Sequence, residues 1–390
     1  MTTAIYGGSF NPPHLGHESA ARSVYDELRP DIFYIIPASI PPHKELERGC
    51  PDASVRAEMC ALAFGGIPGA EINRMELRRG GKSYTVDTLS ELRKQRPKDE
   101  LLLVIGTDMF LSFRQWYRYQ DILALCTLAV LSREEDDSRE ILAFKAELER
   151  EDKARVVLIP HEPLPMSSTE IRERLRMGLG AEELSDRVYG YIIKHRLYDA
   201  RVELPWLREQ VYRRLSAHRV AHTAGCESEA VMLAKRWGED PETAAEAGIL
   251  HDMTKNLSDE KQLLLCKKYA IILDNAERAN PKLLHARTGA EAARDEFGAP
   301  DEICEAIRWH TTGKPDMTLL EKIIYLADFI EPTRDFPGVE ELRELAYQDI
   351  DTAMARALSM SLEEIRGRGD EPFRDTIEAY EWYMKEEKQC

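Results

Sequence analysis

Short apolar runs alternate with amphipathic stretches along the first half of the chain. The runs predict strands at residues 3–6, 32–37, 71–75, 101–105, 127–131 and 155–159. Between them, apolar residues recur at helical spacing and predict helices that include residues 15–28, 54–64, 85–95 and 138–150. Strands that alternate with helices in this way predict an α/β domain, in which a parallel sheet carries helices on both faces.

The pattern changes between Asp199 and Leu204, and strand signals become rare beyond Pro205. Apolar residues then recur three and four positions apart, as they do over residues 319–330. Glycine and proline separate these stretches near residues 238–241, 280–281, 298–300 and 313–315. The second half is therefore predicted to be an all-α domain, which gives two domains, residues 1–200 and residues 201–390.

Composition and charge narrow the class of protein. The chain has 390 residues, 43% apolar and 32% charged, with a net charge of −17. So negative a chain is not expected to bind a nucleic-acid backbone. The seven cysteines form no C-x-x-C pair, so neither a zinc ribbon nor a disulfide framework is indicated. With no predicted signal peptide and no apolar run of membrane-spanning length, we expect a cytoplasmic protein and no membrane partner.

A glycine-rich turn between the first strand and the first helix is the main chemical signal of the first half. Its sequence is Gly-Gly-Ser-Phe-Asn-Pro-Pro-His-Leu-Gly-His, residues 7–17. Such a turn lets the backbone approach a phosphate, which then faces the N–H groups at the helix start. His14 and His17 are three apart, so both rings can point to one side and donate to phosphate oxygens as charge develops.

Polar and aromatic side chains also follow other predicted strands or open the next helix. They are Lys44 in Pro-Pro-His-Lys, Tyr84 and Thr85 at a helix start, Asp108 in Gly-Thr-Asp, and Trp116 in Trp-Tyr. Ligands of parallel sheets bind at the carboxyl ends of strands, so these residues are candidate contacts. The ordinary interpretations are a polar loop for Lys44, a helix cap for Tyr84 and Thr85, and core packing for Trp116.

A hydroxyl-rich segment, Met-Ser-Ser-Thr-Glu-Ile-Arg at residues 166–172, follows the last predicted strand. Ser167, Ser168 and Thr169 at a helix start would form an anion site, and Arg172 would add a charged donor. Ser167 and Glu170 also have the spacing of a capping box, and the two interpretations are compatible.

These segments together resemble the nucleotidylyltransferase superfamily, and most closely its bacterial nicotinate-nucleotide adenylyltransferases, over about residues 1–200. The resemblance implies a Rossmann-like domain that transfers AMP from ATP, taken with Mg²⁺, to nicotinate mononucleotide. It assigns nucleotide and substrate contacts to Gly7, Gly8, Ser9, Phe10, Lys44, Tyr84, Thr85, Asp108, Trp116, Ser167, Ser168, Thr169 and Arg172. The two histidines, with Ser168 and Arg172, would hold the triphosphate. An Arg-Pro-Gly turn common in that family is replaced by Ser-Arg-Glu-Glu at residues 132–135, so no phosphate role is expected for Arg133.

Histidines and aspartates on predicted helices are the signal of the second half. They are His222, His251, Asp252, His285, His310 and Asp328. A single histidine among apolar neighbours is more often a core residue than a ligand, but five separated positions that supply only imidazole and carboxylate favour a metal site. That donor set suits iron, manganese, zinc or magnesium, and Asp252 could bridge two ions that act on a phosphoanhydride.

The second half resembles the HD superfamily of metal-dependent phosphohydrolases, and within it the symmetrical diadenosine tetraphosphate hydrolases. The motifs that carry the resemblance are His-Arg-x-x-His, His-Asp-Met-Thr-Lys, Leu-His, Trp-His-Thr-Thr-Gly and Ala-Asp-Phe-Ile-Glu-Pro. It implies that the six histidines and aspartates bind two divalent ions, iron foremost. It also implies that Arg219 and Lys255 steady the polyphosphate, whereas His218 is expected at the surface or in the core.

The two resemblances imply a bifunctional enzyme that forms deamido-NAD and splits diadenosine tetraphosphate into two ADP. One alternative for the first half is another acceptor, as in pantetheine-phosphate adenylyltransferases, although those usually have threonine at the position of His14. An aminoacyl-tRNA synthetase would need a longer chain and a basic face. The second half could instead act on other nucleotides or only sense them. An oligomer is compatible with the sequence.

Overall fold

Six parallel strands form one sheet in the first half of the chain. The computed structural model describes residues 1–41, 49–132, 138–273, 278 and 281–386. The strands are β1 (Thr2–Gly8), β2 (Ile32–Pro37), β3 (Ala70–Ile72), β4 (Glu100–Gly106), β5 (Thr127–Ser132) and β6 (Val156–Pro160). Their order is β3-β2-β1-β4-β5-β6. The chain therefore builds outward in both directions from the pair β1 and β4, and the crevice at their carboxyl ends is the expected ligand site of such a sheet.

Helices cover both faces of this sheet, so the predicted α/β class is confirmed. The helices of this half are α1 (Leu15–Leu28), α2 (Ala53–Phe64), α3 (Met75–Arg79), α4 (Thr85–Gln95), α5 (Thr107–Leu111), α6 (Tyr119–Leu125), α7 (Ser138–Glu151), α8 (Ser168–Arg176) and α9 (Asp186–Lys194). Leu89 of α4, Ile122 of α6 and Leu148 of α7 lie in the core that one face of the sheet forms. On the other face, α1 packs on β5 and β6 while α2 packs on β2 and β3.

The third strand is shorter than the pattern predicts. The prediction covers residues 71–75, but β3 ends at Ile72, and Met75 already begins α3. The side chain of Asn73 is the physical reason, because its Oδ1 accepts a hydrogen bond from the backbone N–H of Met75 at 3.0 Å. An asparagine that binds the backbone two residues on turns the chain out of the strand and caps the helix that follows.

The described residues of the second half contain helices and no strand. The helices are α10 (Leu204–Tyr212), α11 (Ala217–Trp237), α12 (Pro241–Leu250), α13 (Asp259–Lys268), α14 (Leu284–Phe297), α15 (Asp301–Trp309), α16 (Leu319–Ile330), α17 (Val339–Gln348), α18 (Ile350–Gly367) and α19 (Arg374–Glu386). The core centres on α11, which packs on α12 and α16, and α15 also packs on α16. This agrees with the predicted all-α domain.

Contacts divide the chain into two units, Met1–Arg201 and Val202–Cys390, and each is described by itself below. Among the described residues, no helix combines the length and the apolar character that crossing a bilayer requires.

Candidate nucleotide and metal sites

The loop from β1 to α1 is held tightly against its own core. Phe10 has a left-handed backbone (φ 45°), and its side chain has no exposed surface. Its ring lies edge-on to Tyr6 and Phe64, with centroids 5.5 and 5.4 Å away. A Cβ atom on Gly8 would lie 2.9 Å from this ring, so only glycine fits at that position. Phe10, expected among the nucleotide contacts, therefore lies in the packing beneath the loop.

The structure brings the two histidines of this loop together. The rings of His14 and His17 have centroids 3.7 Å apart. The backbone N–H of His14 donates to Nδ1 of His17 at 3.3 Å, so the proton of a neutral His17 ring is on Nε2. Burial lowers the pKa of His14 to about 4, and burial together with His14 lowers the pKa of His17 well below its usual value. At neutral pH both rings are neutral, and each has one N–H to donate.

A cavity of about 570 Å³ opens beside these histidines. Its lining includes Gly106, Thr107 and Asp108, which follow β4, and His161, which follows β6. His161 carries no prediction from the sequence, and its Nδ1 lies 3.1 Å from the hydroxyl of Ser23. Asp108, one of the predicted nucleotide and substrate contacts, is exposed in this cavity. The first cavity thus combines imidazoles, a carboxylate and the start of a helix.

A second cavity of about 450 Å³ lies on the other side of the ends of β1 and β4. The predicted contacts Gly7, Gly8, Ser9, Tyr84, Thr85 and Trp116 all line it. Aromatic rings dominate one wall, where the centroids of Tyr84 and Tyr117 are 4.8 Å apart. Gly106 and Met109 line both cavities. The two cavities therefore meet at the end of β4, and together they are suited to two ligands in contact.

The hydroxyl-rich segment at the start of α8 is tied to the β1–α1 loop. Ser167 caps the helix, since its Oγ accepts the N–H of Glu170 at 3.2 Å. Ser168 Oγ donates to the carbonyl of Pro12 at 3.0 Å, and Arg172 donates to the carbonyl of Asn11 at 2.7 Å. The capping interpretation holds for Ser167, and the structure adds the link to the loop. The predicted triphosphate contacts of Ser168 and Arg172, and the predicted nucleotide contacts of Ser167 and Thr169, stay predictions, since these residues are outside the linings of the two cavities.

Arg56 is a structural element of this site that the sequence analysis missed. It has no exposed surface, and its guanidinium donates to the carbonyls of Ser9, Ala38 (2.8 Å) and Ser39 (3.1 Å). It thereby joins the loops that follow β1 and β2. The available signal was an arginine on the apolar face of α2, three and four residues before Met59 and Cys60. The predicted contact Lys44, like Arg133, lies outside the described residues.

Six predicted metal ligands of the second half come from five different parts of the helical unit and converge. They are His222 on α11, His251 and Asp252 at the end of α12, His285 on α14, His310 at the end of α15 and Asp328 on α16. The four histidines are at most 2% exposed. Two groups have donor atoms within 4.8 Å of one another: His222, His251 and Asp328 form one, and His251, Asp252 and His310 form the other.

The Asp252 carboxylate lies between the imidazoles. Its Oδ2 is 3.6 Å from Nε2 of His222 and 3.7 Å from Nε2 of His251. Its Oδ1 is 3.3 Å from Nε2 of His285 and 3.7 Å from Nε2 of His310, yet this buried atom makes no hydrogen bond. An orphaned carboxylate oxygen among imidazole nitrogens is the environment of a metal ligand.

Hydrogen bonds orient three of these rings for metal binding. Nδ1 of His251 donates to the carbonyl of Gly248 at 2.7 Å, and Nδ1 of His310 donates to the carbonyl of Ile307 at 2.6 Å. Because a carbonyl only accepts, Nδ1 carries a proton in both rings, and Nε2 is the nitrogen that faces the cluster. Nδ1 of His222 faces Glu331, and its Nε2 lies 3.0 Å from Oδ1 of Asp328. Burial lowers the pKa of His222, but these two carboxylates raise it above its usual value, so a divalent ion at Nε2 would compete with a proton.

The local electrostatics keep the acidic donors ionised. Burial opposes ionisation, but the surrounding histidines hold the pKa of Asp252 and of Asp328 well below the usual range. Burial lowers the pKa of His251 to about 4 and also lowers that of His285. The two carboxylates are therefore ionised at neutral pH, and neutral His251, whose Nδ1 donates to Gly248, has an unprotonated Nε2, as divalent metal binding requires. In donor type and protonation, the cluster fits a divalent centre.

Three cationic side chains surround this cluster. Arg219 donates to Oδ2 of Asp252 at 2.8 Å, and Lys255 Nζ lies 2.9 Å from Nε2 of His285. Arg334, which the sequence analysis missed, donates to Oδ1 of Asp328 at 2.6 Å. His285 is in neither of the two donor groups, so its role as a metal ligand stays a prediction. His218 is exposed, which is one of the two positions expected for it, the surface or the core.

Comparison with known proteins separates the same two halves. The cytidylyltransferase-like family matches residues 5–174, and the HD domain family matches residues 219–333. A symmetrical bis(5'-nucleosyl)-tetraphosphatase of Bacillus subtilis is 42% identical over 178 residues, 45% of this chain and 94% of the relative. A probable nicotinate-nucleotide adenylyltransferase of Geobacter metallireducens is 36% identical over 213 residues, 51% of this chain and 98% of the relative.

One solved structure covers the second of these halves. It is described as a "predicted HD superfamily hydrolase involved in NAD metabolism" of Clostridium acetobutylicum. It matches 46% of this chain and 96% of its own, with 35% identity and a TM-score of 0.45.

Proposed function

The chain belongs to the cytidylyltransferase-like family through its first half and to the HD domain family through its second, and we propose that it is a bifunctional nucleotide enzyme. In this proposal residues 1–200 transfer AMP from ATP to nicotinate mononucleotide, which gives deamido-NAD and pyrophosphate. Residues 201–390 hydrolyse diadenosine tetraphosphate to two ADP. Both activities appear in the names of relatives that the chain matches over nearly their full length.

The observation that carries the first activity is the pair of cavities that meet at Gly106 and Met109. One has two neutral imidazoles and a carboxylate, which suits ATP, and the other has an aromatic wall, which suits a pyridine ring. A reaction between two nucleotides needs both ligands held with their reacting atoms in contact.

The proposed transfer needs no covalent enzyme intermediate. A phosphate oxygen of nicotinate mononucleotide attacks the α-phosphorus of ATP, taken as its magnesium complex, and forms the new P–O bond. The bond from the α-phosphorus to the bridging oxygen breaks in line, and the electron pair leaves with pyrophosphate. The imidazole N–H groups of His14 and His17 would donate to phosphate oxygens as their charge increases. Arg56 would hold the two loops that form the acceptor cavity.

The observation that carries the second activity is the convergence of six histidines and aspartates, five of which are buried. His222, His251, Asp252, His310 and Asp328 would hold two divalent ions, with His285 as the predicted sixth ligand. When bound, such ions supply positive charge for phosphate oxygens and activate water. Arg219 and Lys255 would bind the polyphosphate. Water adds to one of the two central phosphorus atoms, the central phosphoanhydride bond breaks, and the proton of the water is released, so that two ADP result.

A second candidate for each half rests on other substrates. The first half could use another phosphate acceptor, such as pantetheine phosphate, and the second could act on other nucleotides or only sense them. The aromatic wall formed by Tyr84, Trp116 and Tyr117 favours the pyridine nucleotide in the first case. The convergence of the predicted ligands, with four imidazoles around the Asp252 carboxylate, favours catalysis over sensing in the second.

One set of assays on the purified full chain tests the proposal. Pyrophosphate release from ATP is measured with nicotinate mononucleotide, nicotinamide mononucleotide and phosphopantetheine as acceptors. Release of ADP, AMP and phosphate is measured with diadenosine tetraphosphate and with mononucleotides, in the presence of Fe²⁺, Mn²⁺, Zn²⁺ or Mg²⁺. We expect the highest kcat/KM with nicotinate mononucleotide, and ADP as the only nucleotide formed from the tetraphosphate. Preference for another acceptor, or formation of AMP with ATP, would contradict the respective half.

A further inference from the structure

Glu331 is a buried carboxylate beside the predicted metal centre that has no role in the proposed function so far. It follows the last residue of α16 and has no exposed surface. Its Oε1 lies 3.0 Å from Nδ1 of His222, and the backbone N–H of Thr333 donates to Oε2 at 2.7 Å. The hydroxyl of Thr333 also donates to this carboxylate. Three donors therefore fix the position of Glu331.

Helix α11 has a glycine at the point where this carboxylate passes. A Cβ atom on Gly225 would lie 2.4 Å from Oε2 of Glu331. A glycine inside a helix destabilises the helix relative to alanine. Gly225 thus leaves room for Glu331 to reach beneath α11, one turn from His222. The contact between Glu331 and His222 therefore depends on the carboxylate itself and on the glycine at position 225 that leaves room for it.

We propose that Glu331 is a positioning residue, which fixes the ring of His222 so that its Nε2 lone pair points into the metal centre. This inference rests on the proposed function of the second half. An ionised carboxylate only accepts, so Nδ1 of His222 donates to it, which leaves Nε2 as the ring nitrogen that can bind a divalent ion. Nε2 faces Asp328 at 3.0 Å and Asp252 at 3.6 Å. Such outer carboxylates orient metal-binding histidines and increase their basicity.

The first variant is Glu331→Gln, which keeps the shape of the side chain. Its amide can either accept from Nδ1 of His222 or donate to it, so the tautomer is no longer fixed. The matched control is Glu229→Gln on the same α11 helix, because Glu229 lies two turns beyond His222 and accepts a hydrogen bond from the hydroxyl of Tyr347. A third variant, Gly225→Ala, changes neither Glu331 nor any predicted ligand. Its added methyl group would lie where the carboxylate of Glu331 now lies, and would displace it.

Mn²⁺ binding to the metal-stripped full chain is measured by the electron paramagnetic resonance of free Mn²⁺. We expect Glu331→Gln and Gly225→Ala to weaken binding about 10- to 100-fold, and Glu229→Gln to stay within about twofold of wild type. Two-bond ¹⁵N–¹H correlation spectra of the histidine rings with bound Zn²⁺ should show the His222 proton on Nδ1 and the metal on Nε2 in wild type, and loss of this pattern in Glu331→Gln. Circular dichroism checks the fold of each variant.

The outcomes separate this inference from the function on which it rests. If wild type binds no divalent ion, the proposed metal centre is refuted, and the inference falls with it. If wild type binds Mn²⁺ and the Glu331→Gln and Gly225→Ala variants bind it equally well, only the positioning role is overturned. Equal loss in the Glu229→Gln control would also overturn it, because the effect would then come from general destabilisation. Should Glu331→Gln fail to fold, Gly225→Ala alone decides between these results.

Discussion

Asp252 links the two sets of donor atoms in the second half through its two carboxylate oxygens. One oxygen faces His222 and His251, and the other faces His285 and His310. Arg219 binds the first oxygen, so any ion at this position competes with, or displaces, a guanidinium. Substitution of Asp252 is therefore expected to disturb both sets of donor atoms at once.

The Asp252→Asn substitution should remove most of the hydrolytic activity. An amide has one acceptor oxygen and no charge, so it cannot bridge two ions. We expect the rate of tetraphosphate hydrolysis to fall by about 10²-fold or more, with a parallel loss of bound metal. ADP release and metal content of the purified chain are the measurements. The matched control is Asp259→Asn, an exposed aspartate at the start of α13. Full hydrolytic activity in Asp252→Asn would contradict the bridging role.

The histidine pair of the first half should stay neutral over the physiological range. Burial lowers the pKa of His14 from 6.5 to about 4, so between these values the unfolded chain binds more protons than the folded one. Stability from this residue is therefore complete above pH 6.5 and is lost as the pH falls toward 4, by up to about 3 kcal/mol.

Ring NMR of the histidines tests this directly. We expect the signals of His14 and His17, assigned with His14→Asn and His17→Asn variants, to stay unchanged from pH 8 to pH 6. The His17 proton should be on Nε2, because Nδ1 accepts the backbone N–H of His14. Free histidine in the same buffer is the reference. Titration of His14 near pH 6.5 would show that its ring is not buried in the way described.

At the scale of elements, the loops after β1 and β2 depend on one side chain of α2. Arg56 donates to carbonyls in both loops, and no carboxylate among the described residues pairs with it. A buried cation that is neutralised only by carbonyl dipoles holds these segments in one arrangement. It also adds positive potential beneath the cavity that should bind a phosphate.

Replacing Arg56 with methionine should destabilise the first unit and weaken acceptor binding. The carbonyls of Ser9, Ala38 and Ser39 would lose their donor, for a cost of about 2–4 kcal/mol. We expect a higher KM for nicotinate mononucleotide and unchanged tetraphosphate hydrolysis, with partial recovery in Arg56→Lys. Thermal unfolding and steady-state kinetics of the full chain measure this. Arg74→Met, which removes an arginine paired with Glu58 at the surface, is the control. An unchanged melting temperature in Arg56→Met would refute the role.

The elements were predictable from the sequence where local pattern decides, and less so where distant segments meet. Strand β2 and helices α1 and α4 have the predicted bounds, because apolar runs and helical periodicity determine them locally. The strand predicted to reach Met75 was too long, because the side chain of Asn73 ends it. Arg56, Arg334 and Glu331 carried no assignable role in the sequence, since their partners lie on other loops and helices. Motif histidines were easier to find, because their chemistry limits the alternatives.

At the scale of the whole molecule, a chain with a net charge of −17 is proposed to act on two kinds of polyanion. Each unit meets that requirement locally: the first with neutral N–H donors and a helix start, the second with Arg219, Lys255, Arg334 and a predicted divalent centre. The two units thus use different groups to bind phosphate, and no described residue is part of both sites. We therefore expect the two activities to respond independently to mutation.

The His17→Ala substitution in the full chain tests that independence. Loss of a phosphate donor should reduce adenylyl transfer by about 10²- to 10³-fold, and tetraphosphate hydrolysis should be unchanged. The Asp252→Asn variant should show the reverse pattern. Both rates are measured on the same preparation of each protein. Loss of both activities in either variant, while circular dichroism shows a folded chain, would contradict two independent sites.

The shared lining at Gly106 and Met109 has a consequence for turnover in the first half. Under the proposed function, the dinucleotide product would span both cavities at once, whereas each substrate would occupy only one. A product molecule that stays bound would then exclude both incoming substrates. Release of the dinucleotide would therefore limit its own synthesis without any separate regulatory pocket.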